Sequence, residues 1–537
     1  MMERQATPLL TWLSGPARAP DALHRPGFQP FDLDWTDQDL FAAAAAIAQA
    51  RPNDIFADDG AQQLSFGQLW TAVLALAADI RASVPPNAFV FNLCSNTIYL
   101  PIITLGVLLS GRVLVRQDAG TDALKLRAVL AQVPVAAVLL PENSLLDETL
   151  AELGLPQITV RAFPPGAGML APVPSDVSDL AAVQFTSGST GLPKGLGISR
   201  SLFGGVLVGS VNAIEPDRDD VVLALAAASG IGSLDVVVAL LAGARLHLVD
   251  LRTGGLQEAF RIMKEKRITL FRFVPSVVRS MMQLPGAKQA FAHLRVLSLI
   301  GEPMSRDDVA LFRSVLPPGC QINFSLGSTE AGGLTRWFVR EEMITGLRAP
   351  IGFVAPGRRI AIVNEAGNSV ASGETGEMII SDAFVALGDW RNNKVDAGRF
   401  PTDPDTGWRL YSSGDLVRER ADGLIEFVGR RDRMVKIRGL RVELGEVETA
   451  IRAAPGVADA VVVAKDREDD HTTLAAFVVP MLGATVSNAD LRAYVSTYAS
   501  PQAVPTEFAI VPSIPRLSNG KPDLMQLRQR TSPQGVP

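Results

Sequence analysis

A ten-residue segment in the first half of the chain, 186–195, collects glycines, hydroxyl side chains and a lysine. Glycines let a backbone approach an anion and expose its amide N–H groups, while hydroxyls and a lysine add donors and positive charge. The segment follows an expected strand at 183–185, and ligands bind where the strands of an α/β sheet end. This pattern predicts a phosphate-binding loop. Its expected contacts are Thr186, Ser187, Gly188, Ser189, Thr190, Gly191 and Lys194.

The spacing within this loop separates it from three other motifs. A P-loop has glycine immediately before its lysine, but Pro193 stands there. A nucleophile elbow needs glycine at the position of Ser187. A dinucleotide-binding fingerprint has no match in the segment. Taken alone, the loop also fits a Ser/Gly-rich surface turn, so the phosphate interpretation depends on the rest of the chain.

The bulk composition argues against several other chemistries. The chain has 537 residues and a net charge of −6, and it is 47% hydrophobic, which is typical of a large globular protein. Two cysteines, Cys94 and Cys320, and four histidines supply too little for a disulfide framework, a metal centre ligated by cysteine or histidine, or a Ser-His-Asp triad. The acidic net charge argues against nucleic-acid binding. The densest basic stretch, 430–441, contains Asp432 and favours a local phosphate contact.

The most apolar region, 221–249, resembles a membrane segment in composition but not in length. Asp235 and Arg245 interrupt it, and its uncharged run is shorter than the ~20 residues that a spanning helix needs. We expect a buried helix followed by a buried strand here, and no membrane span. Residues 9–13 are too short for the apolar core of a signal peptide. A reducing, cytoplasmic setting is therefore expected.

Alternating helical and strand patterns up to residue 380 predict an α/β fold with helix-covered parallel sheets. Two apolar segments, 359–363 and 377–380, flank a turn and add a small β-rich subdomain. After a charged junction the chain reads as a compact α+β unit. The expected division is an N-terminal core (1–429), a hinge (430–432) and a small mobile C-terminal domain (433–537). The helices are expected at 39–50, 66–83, 443–454 and 488–496, and the strands at 88–93, 111–115, 183–185, 267–273, 294–300, 423–429, 434–438, 458–465 and 472–479.

Further motifs follow the loop in a fixed order. They are Gly301-Glu302-Pro303, Gly327-Ser328-Thr329-Glu330, Gly376-Glu377, Tyr411-Ser412-Ser413-Gly414-Asp415, the stretches 429–432 and 439–443, and Asn519-Gly520-Lys521. With these motifs, nearly the whole chain resembles the acyl-adenylate-forming superfamily. That superfamily includes acyl-CoA synthetases, luciferases and the adenylation domains of nonribosomal peptide synthetases. Residues 435–448 are most similar to the peptide-synthetase members.

The resemblance implies an ATP-dependent ligase that converts a carboxylic acid into its acyl-adenylate and releases pyrophosphate. A carboxylate is ionised at neutral pH, so the reaction needs no general base. Catalysis is then expected from positioning and charge neutralisation. ATP and Mg²⁺ are the implied cofactors. The small C-terminal domain is implied to swing about Asp432 between the two half-reactions.

The resemblance also implies residue roles. Lys521 would bridge the carboxylate and the α-phosphate, Thr329 would contact the α-phosphate, and the face that carries Arg441 would serve thioester formation. Asp415 would bind the ribose hydroxyls, with an ordinary turn aspartate as the alternative. Glu330 would hold Mg²⁺, with a helix N-terminal acid as the alternative. The remaining expected nucleotide contacts are Gly301, Glu302, Pro303, Leu326, Gly327, Ser328 and Arg430.

Several positions depart from the family pattern. Leu326 stands where an aromatic residue usually packs against adenine, and Ile300 replaces a glycine. Gly230 stands where amino-acid-activating relatives carry an aspartate, and Asp235 lies nearby in a different register. These departures predict an apolar acid without an α-amino group, because an unpaired ammonium would be costly there. The expected acyl pocket comprises Ala227, Ala228, Ser229, Gly230, Ile300 and Gly332.

The expected acceptor is the phosphopantetheine thiol of a separate carrier protein. Free coenzyme A, an amino acid as the activated substrate, and use of the adenylate within the site for lactone or amide formation stay open as alternatives. A non-catalytic nucleotide-binding relative is a further alternative from another class. Retention of Lys194, Glu330, Asp415 and Lys521 argues against it.

Overall fold

The structure is a computed structural model. It describes residues 10–15, 25, 28–32, 35, 37–165, 179–187, 193–225, 232–437, 440–466, 472–481, 483–516 and 522–530. Three short 3₁₀ turns, Glu341–Met343, Arg431–Arg433 and Pro501–Ala503, accompany the helices and strands.

The helices are α1 (Asp37–Ala50), α2 (Phe66–Ser83), α3 (Tyr99–Ser110), α4 (Ala123–Leu130), α5 (Glu148–Ala151), α6 (Arg200–Ile214), α7 (Gly232–Ala242), α8 (Leu251–Lys266), α9 (Pro275–Met282), α10 (Ala287–Ala290), α11 (Arg306–Val315), α12 (Leu444–Arg452), α13 (Asn488–Val495) and α14 (Leu524–Arg530).

The strands are β1 (Leu13–Ser14), β2 (Ile55–Asp58), β3 (Gln63–Ser65), β4 (Phe89–Cys94), β5 (Val113–Asp118), β6 (Val135–Pro141), β7 (Gln157–Val160), β8 (Leu180–Ser187), β9 (Pro193–Ser199), β10 (Val221–Ala224), β11 (Arg245–Leu248), β12 (Leu270–Phe273), β13 (Val296–Ile300), β14 (Gln321–Ser328), β15 (Gly332–Phe338), β16 (Phe353–Val354), β17 (Arg359–Val363), β18 (Thr375–Asp382), β19 (Gly388–Arg391), β20 (Lys394–Asp396), β21 (Arg409–Glu419), β22 (Ile425–Arg430), β23 (Met434–Ile437), β24 (Leu440–Glu443), β25 (Val457–Asp466), β26 (Thr472–Pro480) and β27 (Glu507–Ile510).

Two large sheets form the N-terminal part. One has eight strands in the order β20-β19-β9-β8-β5-β4-β6-β7, and the other has nine in the order β16-β15-β14-β13-β12-β10-β11-β2-β3. Their central strands are parallel and largely apolar, as expected when helices cover both faces. One buried cluster joins α2, α3 and α7 to strands of both sheets. The α/β fold that the sequence predicts is therefore present.

Helix α2 shows how local sequence sets an element of this core. The Ser65 hydroxyl accepts from the Gln68 amide at 3.2 Å, and the Gln68 side chain accepts from the Ser65 amide at 2.8 Å. This capping box satisfies two N–H groups that a helix start leaves unpaired. The apolar face of the helix, which includes Leu69, Val73 and Leu76, is buried.

A smaller antiparallel sheet, in the order β1-β17-β18-β21-β22, follows in the chain and matches the expected β-rich subdomain. Beyond it, β23 pairs with β24, and β25, β26 and β27 form a third small sheet. Helix α12 packs on this last unit. Within the described residues, the apolar clusters of this C-terminal unit contain only residues from 435 onward. The apolar clusters of the preceding sheets contain only residues up to 427.

Most of the expected elements are present with shifts of a few residues at their ends. The helix and the following strand expected within 221–249 are present as α7 and β11, but an unexpected strand, β10, precedes them. Strand β10 is held by parallel pairing with β11 on one side and β12 on the other, which the local pattern cannot show. Strands β24 and β27 and helix α14 were not expected. None of the helices in the described ranges is both long and apolar enough to cross a bilayer.

Candidate functional site

A continuous cavity of about 2320 Å³ lies where the large sheets, the small antiparallel sheet and the C-terminal unit meet. It opens at the carboxyl ends of β13 and β14, the edge where ligands bind in α/β sheets. Many residues singled out from the sequence line it together. These are Ile300, Gly301, Glu302, Pro303, Leu326, Gly327, Ser328, Thr329, Glu330, Gly332, Asp415, Arg430 and Asp432.

The expected phosphate loop connects two antiparallel strands. Thr186 and Ser187 end β8, Pro193 and Lys194 begin β9, and Ser187 pairs with Pro193. P-loops and nucleophile elbows lead from a strand into a helix, so this topology agrees with the spacing argument. Pro193 lines the cavity, and the Lys194 side chain is exposed. Residues 188–192 and the side chains of Thr186 and Ser187 lie outside the part of the chain that the structure describes.

The turn between β14 and β15 carries Thr329 and Glu330 to the cavity wall. A register shift between Leu326 and Gly327 bends the β14 end. The Ala386 amide donates to the Glu330 carbonyl at 2.7 Å and fixes the turn. Burial, and then the neighbouring carboxylate of Glu330, raise the pKa of Tyr411, which also lines the cavity. The acidic side chain of the turn thus lies close to a buried phenol.

Gly332, at the start of β15, has a backbone φ of +67°, which disfavours any side chain. A β-carbon there would lie 2.2 Å from Cγ2 of Val206 on α6. The sequence places this glycine in the expected acyl pocket, and the structure adds that it permits close packing of the turn on α6.

We expect Gly332→Ala to lower the free energy of unfolding by about 2 kcal/mol, from left-handed strain and overpacking. Urea unfolding measures this. Gly333→Ala is the matched control, because a β-carbon at 333 meets nothing within 4 Å. It should change stability by less than about 0.5 kcal/mol. Equal stability of the two variants would contradict the packing role.

Asp415, Arg430 and Asp432 form a linked charge cluster where the small sheet meets the C-terminal unit. Asp415 on β21 and Arg430 on β22 are direct cross-strand partners. The Arg430 guanidinium donates to Oδ1 of Asp415 at 3.0 Å and to both oxygens of Asp432, at 2.8 and 3.2 Å. One arginine therefore connects a buried carboxylate to the expected hinge residue.

Burial raises the pKa of the Asp415 carboxyl to about 6, against the opposing effect of Arg430, and the nearby Asp432 and Glu330 add to the increase. The Asp415 amide donates to the Ser413 hydroxyl at 3.0 Å, which in turn donates to the Met378 carbonyl at 2.9 Å. Burying the ionised carboxylate of Asp415 costs free energy. A ligand with hydroxyl groups can lower this cost by donating hydrogen bonds to the carboxylate, so the site suits the recognition of such a ligand.

Ionic contacts hold the C-terminal unit against the cavity. Arg516 donates to Glu302 at 3.2 Å and to Asp459 at 2.6 Å. The other oxygen of Glu302 accepts from the Ser276 amide at 3.0 Å. Arg348 reaches Glu443 at 3.3 Å and the Thr449 hydroxyl at 2.9 Å. Glu302, expected as a nucleotide contact, thus also anchors the C-terminal unit.

Several expected residues cannot be placed. The pocket residues Ala227, Ala228, Ser229 and Gly230 and the catalytic candidate Lys521 lie outside the described residues. The backbone of Arg441 belongs to β24, but its side chain is likewise not described. Arg516 and Pro522, on either side of 517–521, pair through an isolated β-bridge, and both line the cavity.

Among the cavity residues that the sequence interpretation missed are Arg272, Ser298 and Asn323. Each interrupts an apolar strand, in β12, β13 and β14 respectively. A sequence signal that could have revealed them is one polar residue at a similar position in each of three consecutive strand segments. The strand register that aligns them is not visible in the sequence.

Comparison with known proteins agrees with this geometry. The chain matches the AMP-binding enzyme family over residues 44–390 and the AMP-binding enzyme C-terminal domain over residues 446–521. It is 30% identical to tyrocidine synthase 3 of Brevibacillus parabrevis, over 93% of this chain and 8% of that protein. The chain thus spans less than a tenth of that relative's length.

Two further similarities cover a larger share of the other protein. The chain is 30% identical to an L-proline–[L-prolyl-carrier protein] ligase of Streptomyces coelicolor, over 70% of this chain and 71% of the ligase. The solved structure of an anthranilate CoA ligase in complex with anthranoyl-AMP has the same fold, with a TM-score of 0.79, 18% identity, and coverage of 93% of this chain and 97% of that one. The chain therefore belongs to the AMP-binding enzyme family and carries that family's C-terminal domain.

Proposed function

We propose that the protein activates a carboxylic acid with ATP, forming an acyl-adenylate and pyrophosphate, and then transfers the acyl group to the phosphopantetheine thiol of a carrier protein. The observation that carries the proposal is the cavity itself. It brings the buried Asp415, the turn with Thr329 and Glu330, and the ends of the segment that contains Lys521 to one place.

The nucleotide would lie along the edge of β14 and β21. Asp415 would accept hydrogen bonds from the ribose hydroxyls, and Arg430 would orient it through the 3.0 Å contact. Leu326 would pack on adenine by apolar contact instead of ring stacking. The loop 186–195, with Lys194, would hold the outgoing pyrophosphate. Thr329 would donate to the α-phosphate.

Glu330 fits the expected Mg²⁺. Glu330 and its chain neighbour Thr329 both line the cavity, and Mg²⁺ takes one or two carboxylate ligands together with phosphates. When bound, the ion would neutralise phosphate charge. The residues of this chain then have to bring an anionic acid against the α-phosphate and exclude water. Lys521 would supply the positive charge at that contact.

We also propose that the chain is divided into a core (1–429), a hinge at 430–432 and a C-terminal domain (433–537). Asp432 would be the pivot, and Arg441 would face the thiol donor after rotation. The ionic contacts of Arg348 and Arg516 would have to break during the swing. Conformational change of this kind commonly separates two half-reactions in one site.

The acid is proposed to be largely apolar and to lack an α-amino group. The carrier protein as acceptor is supported by the relation to a prolyl-carrier protein ligase and to tyrocidine synthase 3. Coenzyme A is the competing acceptor.

Pyrophosphate exchange tests the first half-reaction. With ATP and a panel of fatty, aryl and amino acids, we expect label from pyrophosphate to enter ATP in the presence of fatty or aryl acids. Strong exchange with a standard amino acid, and none with the other acids, would overturn the proposed substrate class. Adding holo carrier protein or coenzyme A then identifies the acceptor by mass spectrometry of the thioester formed.

A further inference from the structure

A row of three polar side chains crosses one face of the nine-stranded sheet. Arg272 on β12 is in register with Ser298 on β13, and Ser298 is in register with Asn323 on β14. Neighbouring strands lie about 4.8 Å apart, and residues in register point to the same face. The row therefore presents a guanidinium, a hydroxyl and an amide side by side on this face.

All three side chains line the cavity although they are buried. Arg272 is 7% exposed, Ser298 5% and Asn323 3%. The Asn323 amide donates to the Ser298 hydroxyl at 3.3 Å. Within the described ranges, no hydrogen-bond partner meets Oδ1 of Asn323. Buried polar atoms normally have partners, so an unsatisfied acceptor at a cavity wall indicates a ligand that supplies a donor.

Arg272 is similarly under-satisfied. Its contact among the described residues is with Oδ1 of Asp235 on α7, at 3.4 Å, beyond the usual hydrogen-bond range. Asp235 is not part of the large cavity. It borders a small void that Arg272 and Ser298 also line. The guanidinium, with five N–H donors, thus contacts a carboxylate of α7 and also lines the cavity.

The charges favour a neutral ligand group. Asp235 and Arg272 form a buried pair, with side-chain exposures of 3% and 8%. Because the aspartate offsets the arginine, the pair offers little net attraction to a second carboxylate. A neutral hydroxyl can accept from an arginine N–H and donate to the free oxygen of Asn323.

The row lies deep in the pocket. Ser298 precedes Ile300 by two positions on the same face of β13, which is about 6.6 Å along a strand. Ile300 adjoins residues 301–303 at the open end of the cavity, which Thr329 also lines, and the proposed contact of Thr329 with the α-phosphate puts the reacting carboxylate at this end. A group bound by the row would therefore be remote from that carboxylate.

We propose that the activated acid carries a hydroxyl group remote from its carboxyl, read by Arg272 and Asn323, with Asp235 positioning the arginine. This inference rests on the proposed acid-activating function and makes it more specific. The acid remains largely apolar, with one polar group that the recessed row recognises.

Pyrophosphate exchange with matched pairs of acids tests the inference. Each pair consists of a fatty or aryl acid and its counterpart with one remote hydroxyl. For the hydroxylated member of the best pair, we expect kcat/KM to be about 100-fold higher in the wild type, because a site built to bond a hydroxyl rejects the analogue without it. In Arg272→Met this preference should fall to within about threefold, since the donor is lost.

Arg295→Met is the matched control. It removes another arginine–aspartate pair, between a half-buried arginine and the buried Asp220 at 2.9 Å, at a residue that does not line the cavity. It should keep the hydroxyl preference. If Arg272→Met fails to fold because Asp235 is left unpaired, the double variant Asp235→Leu with Arg272→Met carries the same prediction.

The possible outcomes separate the two proposals. A best substrate with a second carboxylate, or equal use of both members of every pair by the wild type, would overturn the inference while adenylation stands. Retention of the preference in the arginine variants would also overturn it. Absence of exchange with every acid would instead overturn the proposed function.

Discussion

Asp415→Asn is expected to raise the KM for ATP by about 100-fold, because two hydrogen bonds from ribose to a charged acceptor contribute about 3 kcal/mol together. The asparagine keeps the volume and one oxygen but loses the charge. Steady-state pyrophosphate exchange at varied ATP measures the effect. An unchanged KM would remove Asp415 from the nucleotide site.

The same variant should not lose stability at neutral pH. The pKa of Asp415 rises from 3.8 to about 6 on folding, so the folded state binds this proton more tightly than the unfolded state does. The stabilisation from the bound proton is complete below pH 3.8 and is lost as the pH rises through 6. Asparagine does not titrate, so the variant does not lose stability in this way as the pH rises. Arg430 keeps Asp432 as its ion-pair partner.

The matched control is Asp422→Asn, in the turn that joins the same two strands. Asp422 accepts from Arg420 at 2.7 Å and does not line the cavity. It should leave the KM for ATP unchanged. Thermal unfolding at pH 4 and pH 7 should show the stability of Asp415→Asn improving relative to wild type as the pH rises.

Lys521→Ala is expected to slow acyl-adenylate formation by about 10²–10³-fold, the cost of removing one preorganised donor from a developing charge. Binding of ATP should change little, because the proposed ribose contact and the other proposed phosphate contacts lie on the larger unit. Single-turnover formation of the adenylate measures the loss.

Transfer of the acyl group from a pre-formed acyl-adenylate to the acceptor thiol should survive in this variant. That split distinguishes a lysine used in one half-reaction from a lysine needed for folding. Lys465→Ala, which removes a 2.9 Å ion pair with Glu507 in the same C-terminal unit, is the control and should leave both steps intact. Wild-type adenylation by Lys521→Ala would refute its catalytic role.

Much of this fold could be predicted from the sequence, because helix caps, apolar helix faces and turns are marked by residues that lie close together in the chain. Helix α2 carries its own cap and apolar face, and strand β22 follows a turn marked by Asp422 and Gly423. The order of the strands within the sheets is different, since it is set by contacts between segments far apart. Strand β10 was missed for that reason, as four apolar residues next to a helix give no periodicity of their own.

The candidate site was predictable to the extent that its residues occur in contiguous motifs. Asp415, Arg430 and the turn at Thr329 and Glu330 were all singled out and line one cavity. Arg272, Ser298 and Asn323 lie far apart in the chain, and the strand register alone brings them together. The contact between Glu302 and Arg516 likewise joins distant segments and could not be read from either motif.

The separation of the apolar clusters at the charged junction also has a calorimetric consequence. The large N-terminal unit and the C-terminal unit each bury their own apolar surface. The two units meet largely through ion pairs such as Arg516–Glu302 and Arg348–Glu443. Heating should therefore give two cooperative transitions instead of one, and salt should weaken the coupling between them. Gly332→Ala and Asp415→Asn would then shift the transition of the large unit, and Lys521→Ala would leave that transition in place.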